Sequence, residues 1–139
     1  MAKFVATDIT TSLNGSDISE SLAQVELSIT GDEVETTSFG TANAGWRTYT
    51  GGLKQATVTL QFHQDFGASG VDSTLFPLLN TNGTFVIVPT SGAVSATNPS
   101  YTFEALISQY NPIASSVGDL ASFSVTFPVV GEITRGTGA

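Results

Sequence analysis

The sequence predicts a mostly β protein: an antiparallel β-sandwich or open barrel with one short flanking helix and extended loop and arm segments. Three observations carry that expectation. Apolar residues recur at every second position in several short runs, which is the period of a half-buried strand. Polarity comes from hydroxyls, with 16 Ser and 20 Thr, while only 12% of residues are charged. A Thr, Val, Phe and Gly mixture of this kind suits strands and turns better than helices. Only one stretch reads as a helix. The 139 residues fit one domain, 1–139, long enough to bury a core without cross-links, and there are no cysteines to form any.

The first hairpin is expected over residues 4–13, with Asn14-Gly15 as its turn and the return through Ile18 and Leu22. Val25, Leu27 and Ile29 alternate with Glu26, Ser28 and Thr30 as a strand, and Gly31-Asp32 is expected to turn the chain. Residues 39–52, FGTANAGWRTYTGG, form a glycine-rich loop that nevertheless carries Phe39, Trp46, Arg47 and Tyr49. Long loops with large aromatics usually cover or bind something. Residues 56–63 give the clearest strand, with Val58, Leu60 and Phe62 inward and Thr57, Thr59, Gln61 and His63 outward. The helix is STLFPLLN, residues 73–80, with Asp72 or Ser73 as N-cap and Pro77 limiting its length. Asn82-Gly83 reads as a turn before the apolar run of residues 85–88, a strand buried on both faces or an edge strand ended by Pro89. In the next strand Tyr101, Phe103 and Ala105 point inward until the alternation slips at Leu106-Ile107, where a bulge is expected. Phe123, Val125 and Phe127 alternate with Ser122, Ser124 and Thr126 in the last clear strand, and residues 131–139 are expected as a C-terminal arm.

Charge and composition exclude several functions. Twelve acidic residues against four basic ones give a formal net charge of −8, and Lys3, Arg47, Lys54 and Arg135 are scattered singly. Gripping phosphate needs clustered cations, so nucleic-acid binding and docking on anionic membranes are not expected. The start, MAKFVATDITTSLNG, lacks the apolar core of a secretory signal, and no run approaches a membrane span, so a soluble protein made in the cytoplasm is expected. His63 is the only histidine; a metal site or a Ser-His-Asp triad would have to be built on it, and its place in the outward series argues against both. Asp32, Glu33 and Glu35 form an acidic cluster without the spacing of a known cation loop, and read as a solvated turn. There is no P-loop and no GxGxxG. No enzyme and no cofactor are expected.

An ordered set of phrases remains: TDITTSLNGSDIS, then DEVETTSFG, the strand GLKQATVTLQF, DSTLFPLLN and finally SFSVTFPVVGEITRG. Together, and in this order over nearly the whole chain, they resemble the major tail tube proteins of long-tailed, non-contractile bacteriophages. The resemblance implies a virion structural protein, assembled in the host cytoplasm. It implies copies that form homohexameric rings and stack into the tail tube, the conduit for genome ejection. It implies contact with a tape measure protein and with tail terminator and tail tip proteins, and DNA that passes without sequence-specific binding. On this reading the outward residues Glu26, Thr57, Thr59, Gln61, Glu104, Ser124 and Thr126 are the candidates for facing the lumen. Phe39, Trp46, Arg47 and Tyr49 are the candidates for contacts between subunits or rings. Two alternatives share the composition. One is a β-sandwich receptor- or carbohydrate-binding module, in which Trp46 and Tyr49 stack on sugars; the other is the tube protein of a contractile or type VI secretion apparatus.

Overall fold

Strand pairing follows the alternation of apolar residues. The computed structural model describes residues 5–39, 44–68 and 70–138. The start of the first expected hairpin, at Phe4, lies outside them, as do Gly40 to Asn43 of the expected loop. In chain order the elements are β1 (Thr10–Leu13), β2 (Ser16–Asp17), β3 (Leu22–Glu35), β4 (Tyr49–His63), helix α1 (Val71–Leu75), β5 (Asn82–Val88), β6 (Ser100–Leu106) and β7 (Ser122–Gly136). Neighbours pair antiparallel in the order β2-β1-β5-β6-β7-β4-β3. The β1–β2 turn is Asn14-Gly15, with φ of 52° and 86°, the left-handed pair that a two-residue hairpin requires.

Strand β7 turns the ribbon into two layers. Its first half pairs with β4 from Ser122, opposite His63, to Pro128, opposite Thr57. Its second half pairs with β6, and between the Val130–Glu104 and Thr134–Thr102 pairs three residues of β7 face one of β6. Gly131, at φ 83°, supplies the left-handed step at this corner. One layer is therefore β3, β4 and the first half of β7, and the other is β2, β1, β5, β6 and the second half of β7. Val58, Leu60, Phe62, Phe123, Val125 and Phe127 from the first layer meet Leu13, Phe85, Ile87, Phe103, Ala105 and Ile107 from the second in one buried cluster. Phe85 and Phe127 touch across the layers, with ring centroids 6.2 Å apart. The result is an antiparallel sandwich with one short helix, as the alternation predicts.

Several local expectations are corrected. The helix begins at Val71, because Val71 and Leu75, four apart, are the residues buried in the core. Its N-cap is Gly70, and the Ser73 hydroxyl donates instead to the carbonyls of Ala68 and Gly70, both at 3.0 Å. Past Leu75, Pro77 confines the chain to a 3-10 turn, Phe76–Leu78. Gly31-Asp32 is not a turn: β3 runs through it to Glu35, with a register shift between Gly31 and Glu33. Asn82-Gly83 opens β5, which is neither an edge nor buried on both faces; it lies between β1 and β6, and its second face is half-buried. No slip occurs at Leu106-Ile107, where Phe103, Ala105 and Ile107 are all buried; the irregularity lies between Thr102 and Glu104. Strand β4 begins at Tyr49 and β7 ends at Gly136, so residues 49–52 and 131–136 lie within strands rather than in a loop or arm.

Candidate functional site

Three surfaces stand out: a polar sheet face, a projecting arm and an open fork between strands. The polar face is the outer side of the β3-β4-β7 layer. Each residue that buries Val58, Leu60 or Phe62 inward places its neighbour outward, and antiparallel register lines those neighbours up. Gln24, Gln61 and Ser124 form one row, Glu26, Thr59 and Thr126 a second, and Ser28 and Thr57 continue beside Pro128. The Thr59 and Thr126 hydroxyls lie 3.3 Å apart. Six of the seven outward residues expected from the sequence thus share one face. Glu104 does not; it is exposed on the other layer, paired with Thr84 and Val130. His63, expected on the wet face, is half-buried at the end of its row opposite Ser122, and its Nδ1 is buried without a hydrogen-bond partner.

The arm is the distal part of the β3–β4 hairpin. From residue 28 to residue 55 every described residue is exposed except Thr48, so backbone pairing rather than packing holds this part together. Thr36 N–H donates to Thr48 O at 2.8 Å, and Thr48 N–H donates to Thr37 Oγ1 at 2.9 Å, extending the ladder beyond the last strand residues. Glu35 and Arg47 face each other at 4.0 Å, too exposed to contribute much. Phe39, Trp46 and Tyr49 are 106%, 76% and 53% exposed, joined by Leu53 at 81%. The structure therefore brings the four expected contact residues to one tip or its stem, and Leu53 adds an apolar group that the glycines around it concealed.

The fork forms where β4 and β7 part. Their ladder stops at Thr57–Pro128; β4 continues into the arm while β7 bends away to β6. The diverging strands leave a concavity of about 680 Å³, lined by Ile29, Tyr101, Val129 and Ile133 together with Lys54, Arg135 and Glu132. Its apolar wall continues along β3 past Leu27 and Val25 to Ile9. Two of the scattered cations are thus neighbours in space, which spacing in sequence does not reveal.

At the opposite end of the layer, residues 107–121 lead from β6 into β7. Tyr110 anchors them: its hydroxyl donates to Asp72 Oδ1 at 2.6 Å, accepts from Gln64 Nε2 at 3.1 Å, and its ring meets Phe123 edge-on at 5.3 Å. Burial first, and then the Asp72 hydrogen bond, push the phenol up to about 12. Beyond that anchor Ile113, Val117 and Leu120 are 85%, 104% and 70% exposed. Sequence reasoning passed over this loop; its only signal is three apolar residues without period in a polar stretch.

Among the described residues no group of three or more His, Asp and Glu is placed to hold a metal ion. No helix there is long and apolar enough to cross a membrane. No protein-family model matches the chain, and no curated protein matches it. Solved structures do. A chain from the virion of a native gene transfer agent particle superposes with a TM-score of 0.73 at 18% identity, covering 94% of this chain and 96% of its own. A chain from the tail of an empty gene transfer agent particle, refined helically with C6 symmetry, gives 0.67 at 17% identity, covering 91% and 92%. At these identities the likeness is one of fold, over almost the full length of both chains.

Proposed function

We propose that this chain is a structural subunit of a virion tail, forming sixfold rings that stack into a tube through which a genome leaves the particle. The observation that carries the reading is the full-length fold likeness to a chain of a sixfold-symmetric, helical tail. The order of phrases in the sequence supports it independently. So does the surface: a tube subunit needs contact residues beyond its own core and a wall that does not hold DNA, and the arm and the polar face supply both. The wall is the face of Glu26, Thr57, Thr59, Gln61, Ser124 and Thr126, which carries hydroxyls, an amide and a carboxylate and no cation. Six copies at −8 each carry a formal −48, and the part of it on the wall repels phosphate within a Debye length of about 8–10 Å. The exposed edge of β3 is covered when the layers of neighbouring subunits join around the ring. The arm, with Phe39, Trp46, Arg47 and Tyr49, reaches the adjacent ring.

The function is mechanical rather than catalytic. The virion tail is the place of action, and the main partner is the chain itself. Sedimentation of the purified full-length chain over a wide concentration range tests the assembly. Growth from monomer to large, length-distributed particles is expected. A single small species at every concentration, with or without seeds, would contradict it, and a fixed monomer or trimer that binds glycans would favour a β-sandwich recognition module instead.

A further inference from the structure

We propose that the fork between β4 and β7 is a socket for a second copy of this chain, and that its occupant is the tip of the 107–121 loop, residues 113–120. The proposal rests on the tube reading and names the contact by which one ring seats on the next. Chemistry, direction and charge point the same way.

The fork exposes strand edges. Among the described residues, the side of β4 that faced β7 has no ladder partner beyond Thr57, and the same holds for β7 beyond its corner on the side that faced β4. A segment with free backbone groups suits such a site, and residues 113–116 carry no regular structure ahead of the turn at Val117-Gly118. Among the described residues the loop tip supplies such groups: the backbone hydrogen bond within residues 113–120 is Asp119 N–H to Ser116 O. Ile113, Val117 and Leu120 are apolar groups to set against Ile29, Tyr101, Val129 and Ile133.

Direction follows from topology. The fork opens where β4 leaves for the arm, and the loop enters β7 at Ser122, opposite His63 at the far end of β4. Socket and occupant therefore lie at opposite ends of one layer. Contacts between unlike ends repeat head to tail and propagate a stack, whereas two like ends would close a pair.

Charge selects the place. Copies carrying −8 repel each other on approach. Of the three cations among the described residues, Arg47 lies against Glu35 of its own arm, and the other two, Lys54 and Arg135, line the fork. Asp119 on the loop tip is the carboxylate they would receive. Glu132 lines the same concavity, so the socket keeps one positive charge in excess until it is filled.

The chain has no cysteine, which makes a pairwise test direct. Val117→Cys and Gln55→Cys are both at exposed positions, the second at the fork. The two single variants, mixed, assembled and oxidised, are expected to give a disulfide-linked dimer that neither gives alone, and the double variant is expected to give a ladder of linked copies. Tubes that assemble normally but give no linked species would overturn the socket while leaving the tube reading intact. A wild-type chain that stays monomeric at every concentration would overturn the tube reading and the socket with it.

Discussion

Trp46 is three-quarters exposed at the end of an arm, where a large indole adds little to the fold; in the proposed tube its work is a contact between copies. Trp46→Ala is expected to change the unfolding free energy by no more than about 0.5 kcal/mol, as for ordinary surface substitutions. Removing a buried aromatic anchor costs about 2–4 kcal/mol at an interface, so the concentration needed for assembly should rise about 30-fold or more. Paired melting and sedimentation curves check both halves; loss of fold would place the indole in a core. Tyr110 is the opposite case, a residue whose work is internal. Tyr110→Phe keeps the ring against Phe123 but removes the donor to Asp72, at an expected cost of about 1 kcal/mol. Its phenol titrates at about 12 when folded and about 10 when unfolded. Below pH about 10 both states are neutral and the contribution is complete; between about 10 and 12 only the unfolded chain ionises, so stability falls as pH rises. Denaturant midpoints from pH about 9 to 12 should show that slope in the wild type and a smaller one in Tyr110→Phe. Identical slopes would mean that the hydroxyl is not the group responsible.

The β3–β4 hairpin shows how an element can be well formed without packing. Replacing residues 33–51 by a two-residue Asn-Gly turn removes only exposed or tip residues apart from Thr48. The shortened chain is expected to keep an unfolding free energy within about 1 kcal/mol of the wild type, as a monomer that no longer assembles, read by calorimetry and sedimentation. An unfolded product would show that the arm supports the core. The same hairpin marks the limit of what the sequence reveals. Period-two alternation exposes a strand only where one face is buried, so Val58, Leu60 and Phe62 were legible. Residues 31–35 and 49–52 were not, because they lie in strands without a dry side and read as turn and loop. The helix was found but shifted, since a side-chain N-cap from Asp72 or Ser73 was expected where Gly70 and the carbonyl of Asp65, which accepts from Asp72 N–H at 3.2 Å, make the turn. The bulge was expected at Leu106-Ile107 on the evidence of two adjacent apolar residues, but the corner lies at Gly131, and a strand that changes partners midway leaves no periodic signature. The fork followed the same rule, because Lys54 and Arg135 lie 81 positions apart in the chain and come to line one concavity only when β7 bends.

At the scale of the whole molecule, the proposed ring gives the polar rows of the β3-β4-β7 layer a purpose, as the wall of its lumen. Thr59→Cys places a single thiol in the middle row of that face, and Glu104→Cys places one on the other layer. In free subunits both thiols should react with small reagents and with reagents too wide to enter the tube. After assembly, Thr59→Cys should keep its reactivity toward the small reagent and lose it toward the wide one. Wide-reagent labelling of assembled Thr59→Cys would put the polar face on the exterior.

The central claim is the hollow sixfold stack, and electron microscopy of the full-length chain, concentrated without any other protein, tests it most directly. Tubes of uniform width are expected, with end-on views showing six subunits around an open centre. Monomers alone at every concentration, closed dimers or trimers, or solid fibres without a lumen would contradict it.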